Sequence, residues 1–428
     1  MVKLERSLSL WEVTLMSVGI ILGAGIYVVI GEAVGITGNS VWISFLLGAL
    51  VATFTGLSYA ELCSRFPEAG AEYIYIRNAF GNASAWLGGW LIIAGNIIGA
   101  ATVALGFSFY FAALFDTPLI LTAIFLLIIC GIILILGVKE TASVTILFTV
   151  IEAIGLIIII FIGLPRMGNV DLLELTNGMK GIIEASVLIF FSYLGFQGIT
   201  RLAEETKNPE KNIPRAIIIS ILITTIIYIL VGISAVSVIP SVELAQQEAP
   251  LAAIAEKVFG QQSFVILSVI AMFSTFNTSL MMLLSGSRLV YGISKEKALP
   301  RIFSHVSKKT LAPTIAVFAV VVASIFFLFI GDLKSIANLT NFTVFSVFIA
   351  VNASLIYLRI KKPKSSGFKV PLNIGKLPII PILGLCTSIF MIANVSIDIL
   401  ILGIILIIIG LMFYFIYNRF FKRDMENN

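Results

Sequence analysis

Residues Phe190-Phe-Ser-Tyr-Leu-Gly-Phe-Gln-Gly198 interrupt an apolar run that extends over positions 184–203. A second apolar run, at positions 9–34, contains the stretch Gly19-Ile-Ile-Leu-Gly-Ala-Gly25. Glycine inside a helix is about 1 kcal/mol less favourable than alanine, so each stretch is a place where a helix can unwind. The two stretches therefore predict two discontinuous helices.

The composition places these helices in a membrane. Of 428 residues, 59% are hydrophobic and only 12% are charged, whereas soluble domains carry about 25% charged residues. The same composition excludes a disordered, collagen-like or disulfide-rich chain. The chain has three widely spaced cysteines and one histidine, so we expect no disulfide framework, metal site or cofactor. The net charge of +5 reflects membrane topology, and no nucleic-acid partner is expected.

The apolar runs predict an all-α membrane protein with twelve transmembrane helices. A helix needs roughly 20 apolar residues to cross the hydrocarbon core of a bilayer. Runs of this kind occupy positions 9–34, 40–63, 82–113, 118–137, 142–164, 184–203, 214–238, 263–290, 313–331, 335–358, 377–396 and 399–420. The connections between them are too short to hold a soluble domain.

The positive charges predict the orientation of these helices. Cytoplasmic connections of membrane proteins carry an excess of lysine and arginine. With the N-terminus inside, all but four of the 28 basic residues fall on the cytoplasmic side, the outer four being Arg166, Lys180, Lys257 and Lys334. We therefore expect a multi-pass protein of the plasma membrane with both termini in the cytoplasm.

The two interruptions fall at corresponding positions of two five-helix halves. Helices 1–5 lie within residues 1–164, helices 6–10 within 184–358, and helices 11–12 within 377–420. Paired interruptions of this kind point to the binding site of a transporter. Two alternatives stay open from spacing alone. Gly19 and Gly23 could form a close-packing face, and Ser274 and Thr275 could join helices rather than bind an ion.

Glu152 is the ionisable residue that falls deepest in a predicted span. It lies 10–12 residues from either end of helix 5, and Thr145 and Thr149 share its helical face. An ionisable side chain at this depth is a candidate for function. The alternative is a neutral glutamic acid that only forms a hydrogen bond to a neighbouring helix.

Four distinctive motifs follow one another along the chain. They are Gly23-Ala-Gly-Ile-Tyr27; Tyr59-Ala-Glu-Leu-Cys-Ser-Arg-Phe-Pro-Glu-Ala-Gly70 followed by Glu72-Tyr73; Phe191-Ser-Tyr-Leu-Gly-Phe196 continuing into Glu204-Glu-Thr-Lys-Asn-Pro209 and Ile213-Pro-Arg-Ala216; and Ser287-Arg-Leu-Val-Tyr291 through Leu299-Pro300. Together these motifs resemble the amino acid–polyamine–organocation (APC) superfamily of transporters, and the resemblance covers essentially the whole chain.

The resemblance implies a LeuT-like fold of 5+5 inverted repeats with two peripheral helices, and secondary transport of an amino acid. It implies that the helix 1 break binds the substrate carboxylate and that helix 6 carbonyls accept hydrogen bonds from its amine. These substrate-binding roles carry over to Gly23, Ala24, Gly25 and Ile26 and to Phe191, Ser192, Tyr193 and Gly195.

The coupling ion cannot be inferred from the family. Glu152 stands where some relatives have a lysine, beside positions that correspond to the carbonyls of Gly19 and Leu22 and near Ser274 and Thr275. A protonated carboxyl could donate a hydrogen bond there, so we expect a proton as the coupling ion. Gln197 replaces an acidic residue of several relatives and disfavours a cationic substrate.

We therefore expect an amino acid permease that works by alternating access and is not an enzyme. The alternatives are a sodium-coupled or exchange-type amino acid or polyamine transporter, and a transporter-like nutrient sensor. A major-facilitator transporter would need a long central loop where this chain has only the segment 207–213. A membrane enzyme would need several acids, histidines or cysteines within the spans, and only Glu152 lies at that depth.

Overall fold

The computed structural model describes residues 8–68, 70–136, 138–203, 206–296, 298–307, 312–329, 332–361, 367–375 and 377–420. The described residues are mostly α-helical, and their β-structure comprises a two-stranded hairpin and an isolated bridge. Both termini and the Glu204-Glu205 pair of the third motif lie outside the described residues.

The first half of the chain forms six helices: α1 (Leu10–Thr37), α2 (Val41–Arg65), α3 (Ala71–Phe80), α4 (Asn82–Phe115), α5 (Leu119–Leu136) and α6 (Val138–Gly163). Helix α1 begins with a capping box. The Ser9 N–H donates to Glu12 Oε2 at 2.7 Å, and the Glu12 N–H donates to Ser9 Oγ at 3.4 Å. These bonds fix the start of the helix that carries the first glycine stretch.

The second half forms α7 (Gly178–Tyr193), α8 (Pro209–Val238), α9 (Ser241–Leu244), α10 (Pro250–Phe259), α11 (Gln261–Lys295), α12 (Thr314–Phe327), α13 (Leu333–Lys361), the hairpin of β1 (Asn373–Ile374) and β2 (Leu377–Pro378), α14 (Ile379–Ala393) and α15 (Ile397–Phe420). A 3₁₀ segment, Phe196–Leu202, continues the chain beyond α7. Shorter 3₁₀ turns occur at Gly38–Ser40, Leu164–Arg166 and Arg301–Ser304.

Eleven of the twelve predicted runs each overlap one helix, and the run at 184–203 covers the end of α7 and the 3₁₀ segment Phe196–Leu202. Helices α3, α9 and α10 lie in the connections. Within the described ranges, nine helical segments are long and apolar enough to cross a membrane, the first of them containing both α1 and α2. Two apolar helices, α12 and α14, are shorter. The chain is therefore an all-α, multi-pass membrane protein, and the count of twelve crossings stays a prediction.

Helices α1 and α7 occupy the centre of the molecule. Helix α1 packs against α6, α7, α8 and α11, and nearly all of its residues beyond the first two turns are buried. Helix α15 lies outside, on α4 and α13, where the Trp86 and Trp90 indole N–H groups donate to the carbonyls of Gly410 and Leu406 at 2.9 and 3.0 Å. The two interrupted helices are thus surrounded by protein.

Candidate functional site

Helix α1 is broken at Gly23, inside the stretch predicted to unwind. Its φ of −12° and ψ of −158° lie outside the helical region. The break leaves the N–H of the following residue without a helical acceptor, and this Ala24 N–H donates to Thr278 Oγ1 of α11 at 2.8 Å. The second part of α1 therefore begins with a backbone donor that a side-chain hydroxyl satisfies.

Helix α7 ends at Tyr193, and the chain is not helical again until Phe196. Gly195 has a φ of +132°, a conformation that glycine adopts readily and other residues rarely adopt. Its N–H donates to Gln197 Oε1 at 3.1 Å. The predicted interruption of helix 6 is confirmed, and Gln197 stabilises it.

The two breaks pack directly against each other. A Cβ atom added to Gly25 would overlap the Cα of Ser192 and lie 2.9 Å from its Cβ. A Cβ atom added to Gly195 would lie 3.0 Å from the carbonyl oxygen of Ile20. Real Cβ atoms essentially never lie under 3.0 Å from another atom and seldom under 3.4 Å, so the absence of side chains at these glycines allows the two backbones to meet.

Tyr228 of α8 joins the two breaks, and the sequence analysis missed it. Its hydroxyl donates to the carbonyl of Ser192 at 2.9 Å and also lies within hydrogen-bonding distance of the carbonyl of Ile21. Its ring packs edge-on against Tyr193, with centroids 5.2 Å apart. A buried tyrosine usually bonds through its hydroxyl, so the presence of a tyrosine within the predicted span 214–238 was the signal that could have identified it.

Glu152 lies fully buried on α6 with Thr145 and Thr149, as the shared helical face predicted. Its Oε2 accepts a hydrogen bond from Ser274 Oγ of α11 at 2.7 Å. The Tyr27 hydroxyl of α1 donates to its backbone carbonyl at 2.8 Å. In the described part of the chain, Oε1 has no hydrogen-bond partner and no basic side chain pairs with the carboxyl group. Glu152 thus connects α1, α6 and α11.

The other predicted coupling residues have different surroundings. Gly19 packs against the Thr149 side chain, and a Cβ atom added to this glycine would lie 2.8 Å from the Cβ of Thr149, so Gly19 serves close packing. Leu22 is buried beside the break. The Thr275 hydroxyl donates within α11, to the Ala271 carbonyl at 2.8 Å. Ser274 is therefore the predicted α11 hydroxyl that contacts Glu152.

The remaining predicted binding residues form the buried walls of the two breaks. Ile26 and Phe191 are buried, and the Tyr193 hydroxyl donates to the Phe45 carbonyl of α2 at 3.0 Å. The Ser192 hydroxyl is buried and has no partner among the described residues. The structure thus places backbone groups and an unpaired hydroxyl together between apolar side chains.

The fold and this central pair of broken helices define a membrane transport protein. The chain belongs to the amino acid permease family, because the sequence profile of that family matches residues 8–413.

Individual relatives support the assignment. The methylthioribose transporter of Bacillus subtilis (strain 168) is 32% identical, covering 97% of this chain and 94% of the relative. The branched-chain amino acid permease BcaP of the same organism is 28% identical over the same shares of the two chains. The vacuolar cationic amino acid transporter 4 of Arabidopsis thaliana is 29% identical over 84% of this chain and 64% of the relative. All three names describe transporters.

Proposed function

We propose that the protein is a secondary active transporter that moves a neutral amino acid across the membrane by alternating access and couples this movement to a proton. The contact between the two helix breaks carries the proposal. It brings backbone N–H groups, which suit a carboxylate, next to backbone carbonyls, which suit an ammonium group. An amino acid has both groups on one carbon atom.

The binding roles follow from this placement. Backbone N–H groups from Gly23 to Ile26 would bind the substrate carboxylate, which would replace Thr278 Oγ1 as the acceptor for Ala24. Carbonyls of Phe191 to Tyr193 and the free Ser192 hydroxyl would bind the amine. The uncharged Gln197 bonds to Gly195 and offers no countercharge for a cationic substrate, which supports a neutral one.

Glu152 would carry the proton. A charged carboxylate without a basic partner is very unfavourable in a buried site, whereas a neutral carboxyl leaves at most one hydrogen bond unformed. Glu152 also contacts α1 through Tyr27 and α11 through Ser274, so motion of α1 would change its surroundings. Such a change would let the group bind and release a proton as access alternates.

A sodium ion bound by Glu152 and the α11 hydroxyls is the second candidate for coupling. Thr275 donates to the Ala271 carbonyl and Thr278 to the Ser274 carbonyl at 3.1 Å, and donation leaves the lone pairs of both hydroxyl oxygens available to a cation. The sodium dependence of uptake separates the two candidates. The repeats within 1–164 and 184–358 would move relative to each other, with 377–420 as peripheral helices. We place the protein in the plasma membrane with both termini in the cytoplasm.

The test is uptake into proteoliposomes. Parent protein should accumulate a neutral amino acid under an imposed inward proton gradient without sodium. Glu152→Gln should bind the amino acid but lose the gradient dependence, whereas Glu256→Gln, at an exposed position on α10, should behave like the parent. Uptake that requires sodium and ignores the pH gradient would contradict proton coupling. Binding without any flux would identify a nutrient sensor instead.

A further inference from the structure

We infer that the ion pair of Glu72 and Arg201 closes the transport path on one side of the membrane and must break whenever the site opens to that side. We call this side the α3 side, because Glu72 lies in the first turn of α3. The inference rests on the proposed transport function and adds two residues to its mechanism.

The ion pair connects four elements of the fold. Arg201 Nη2 lies 3.2 Å from Glu72 Oε1, and the two side chains are 14% and 2% exposed. Arg201 Nη1 bonds to the Ser285 hydroxyl of α11, and the Tyr59 hydroxyl of α2 donates to Glu72 Oε1 at 3.4 Å. A single guanidinium group therefore links the 3₁₀ segment Phe196–Leu202 to α3 and α11.

The position of Arg201 relates the ion pair to the helix break. It lies in the 3₁₀ segment that starts directly after Gly195. At the start of this segment, Phe196 packs edge-on against Tyr59 with centroids 6.0 Å apart and contacts Phe348 at 5.5 Å. A tilt of the segment would therefore separate the aromatic rings and remove Arg201 from Glu72 in the same motion.

Helix α3 stays in place while the 3₁₀ segment tilts. It packs on α4 and α13, whereas the 3₁₀ segment packs on α1, α2 and α8. Glu72 also lies at the N-terminal end of α3, where the helix dipole favours a negative charge. The carboxylate therefore stays in place on α3 while Arg201 moves with the broken helix.

The bonding of the pair suits a contact that forms and breaks repeatedly. Glu72 Oε2 and Arg201 Nε are buried and have no partner among the described residues, so the pair is incompletely satisfied. Glu61 of α2 differs. Its Oε1 accepts from Arg65 and Arg359 at 2.9 Å each, and its Oε2 accepts from the Val370 N–H at 2.8 Å. Both carboxylate oxygens of Glu61 are therefore bonded, whereas one oxygen of Glu72 is not. Arg65 Nε also lacks a partner among the described residues, so the contrast lies in the two carboxylates.

Cys63 is a native reporter for the opening. It is buried at the end of α2, and its Sγ contacts the carbonyl of Thr200, in the 3₁₀ segment, at 3.9 Å. Movement of this segment would expose the thiol. With Cys130 and Cys386 replaced by alanine, the rate of labelling by a polar maleimide measures how often the path opens on the α3 side.

The experiment compares four variants in this background, reconstituted in proteoliposomes. Glu72→Gln and Arg201→Met should each increase the labelling rate of Cys63 roughly tenfold, and Arg201→Lys should increase it less because it keeps the charge. Glu296→Gln is the matched control. It removes an exposed pair with Arg77 that also joins α3 to α11, with side chains 56% and 37% exposed, and should leave the rate unchanged.

Melting curves establish that each variant is folded before labelling is compared. Folded Glu72→Gln and Arg201→Met proteins that both label at the parent rate would overturn the inference, as would an equal increase in Glu296→Gln. A thermal-shift screen of the parent against amino acids tests the proposed function separately. Failure of every amino acid to bind would contradict transport, whereas the labelling result would still report on the ion pair.

Discussion

Replacement of Gly25 by alanine tests whether the contact between the two breaks forms the substrate site. The new Cβ would lie 2.9 Å from Ser192 Cβ and 3.0 Å from Ser192 N. Ordinary contacts begin at 3.4 Å, and the Ser192 Cα would lie closer still than the Ser192 Cβ, so the two backbones must separate by more than about 0.5 Å. No side-chain rotation relieves the overlap, because backbone atoms of Ser192 are involved.

The expected loss follows from the cost of overpacking a closely packed site, which is about 1–3 kcal/mol. The empty protein can relieve this strain by separating α1 from α7. A bound amino acid prevents that relief, because its carboxylate and its amine need both breaks at a fixed distance. We therefore expect Gly25→Ala to raise the Kd for the amino acid roughly 5- to 150-fold.

Isothermal titration of purified protein measures this change, and Gly198→Ala is the matched control. Gly198 lies in the 3₁₀ segment that follows α7, the helix against which Gly25 packs, and a Cβ there would meet no atom within 4 Å. Its variant should bind with the parent Kd. The melting temperatures of both variants without ligand show whether either is unfolded.

Parent-like affinity in a folded Gly25→Ala protein would refute the reasoning. It would mean either that the amino acid binds elsewhere or that the breaks lie further apart in the bound state. Equal weakening in Gly198→Ala would indicate a general effect of substituting a glycine near the two breaks.

Two further predictions concern Tyr228 and the orientation of the chain. Tyr228→Phe keeps the ring contact with Tyr193 but leaves buried carbonyls without their hydrogen-bond donor. The free energy of unfolding, measured by denaturant titration, should therefore fall by about 1–3 kcal/mol. An unchanged value would contradict the assigned hydrogen bonds. The orientation is tested in a chain without Cys386. In intact cells, an impermeant maleimide should react with Asn169→Cys and should not react with Lys295→Cys. The reverse pattern would mean that the protein has the opposite orientation in the membrane.

The helix breaks could be predicted because their cause is local. Gly23 and Gly195 lie in short sequences whose glycines lower the cost of leaving the helix. The apolar runs located the helices for a similar reason, since length and hydropathy alone select a membrane span. The start of α8 was less accurate. The apolar run was placed at 214–238, whereas α8 begins at Pro209 and has Pro214 inside the helix.

The contacts of the site could not be predicted from the sequence because they depend on which helices are neighbours. Tyr228 lies more than 200 residues from Ile21 along the chain, and Ser274 is separated from Glu152 by 122 residues. Periodicity places a residue on a helical face but does not say which helix packs there. The hairpin of β1 and β2 and the short helix α10 were missed because their sequences are brief and lie between stronger apolar signals.

The single hydroxyl proton of Tyr228 has a consequence for the empty protein. The carbonyls of Ile21 and Ser192 share this donor. A protein without substrate can therefore bury both helix breaks while these two carbonyls keep a hydrogen-bond donor. We therefore expect these hydrogen bonds to lower the cost of keeping the unloaded breaks buried, and so to allow reorientation without substrate. A carrier whose unloaded form can reorient performs net uptake and is not restricted to one-for-one exchange. Radiolabelled substrate should accordingly enter vesicles that contain no internal amino acid.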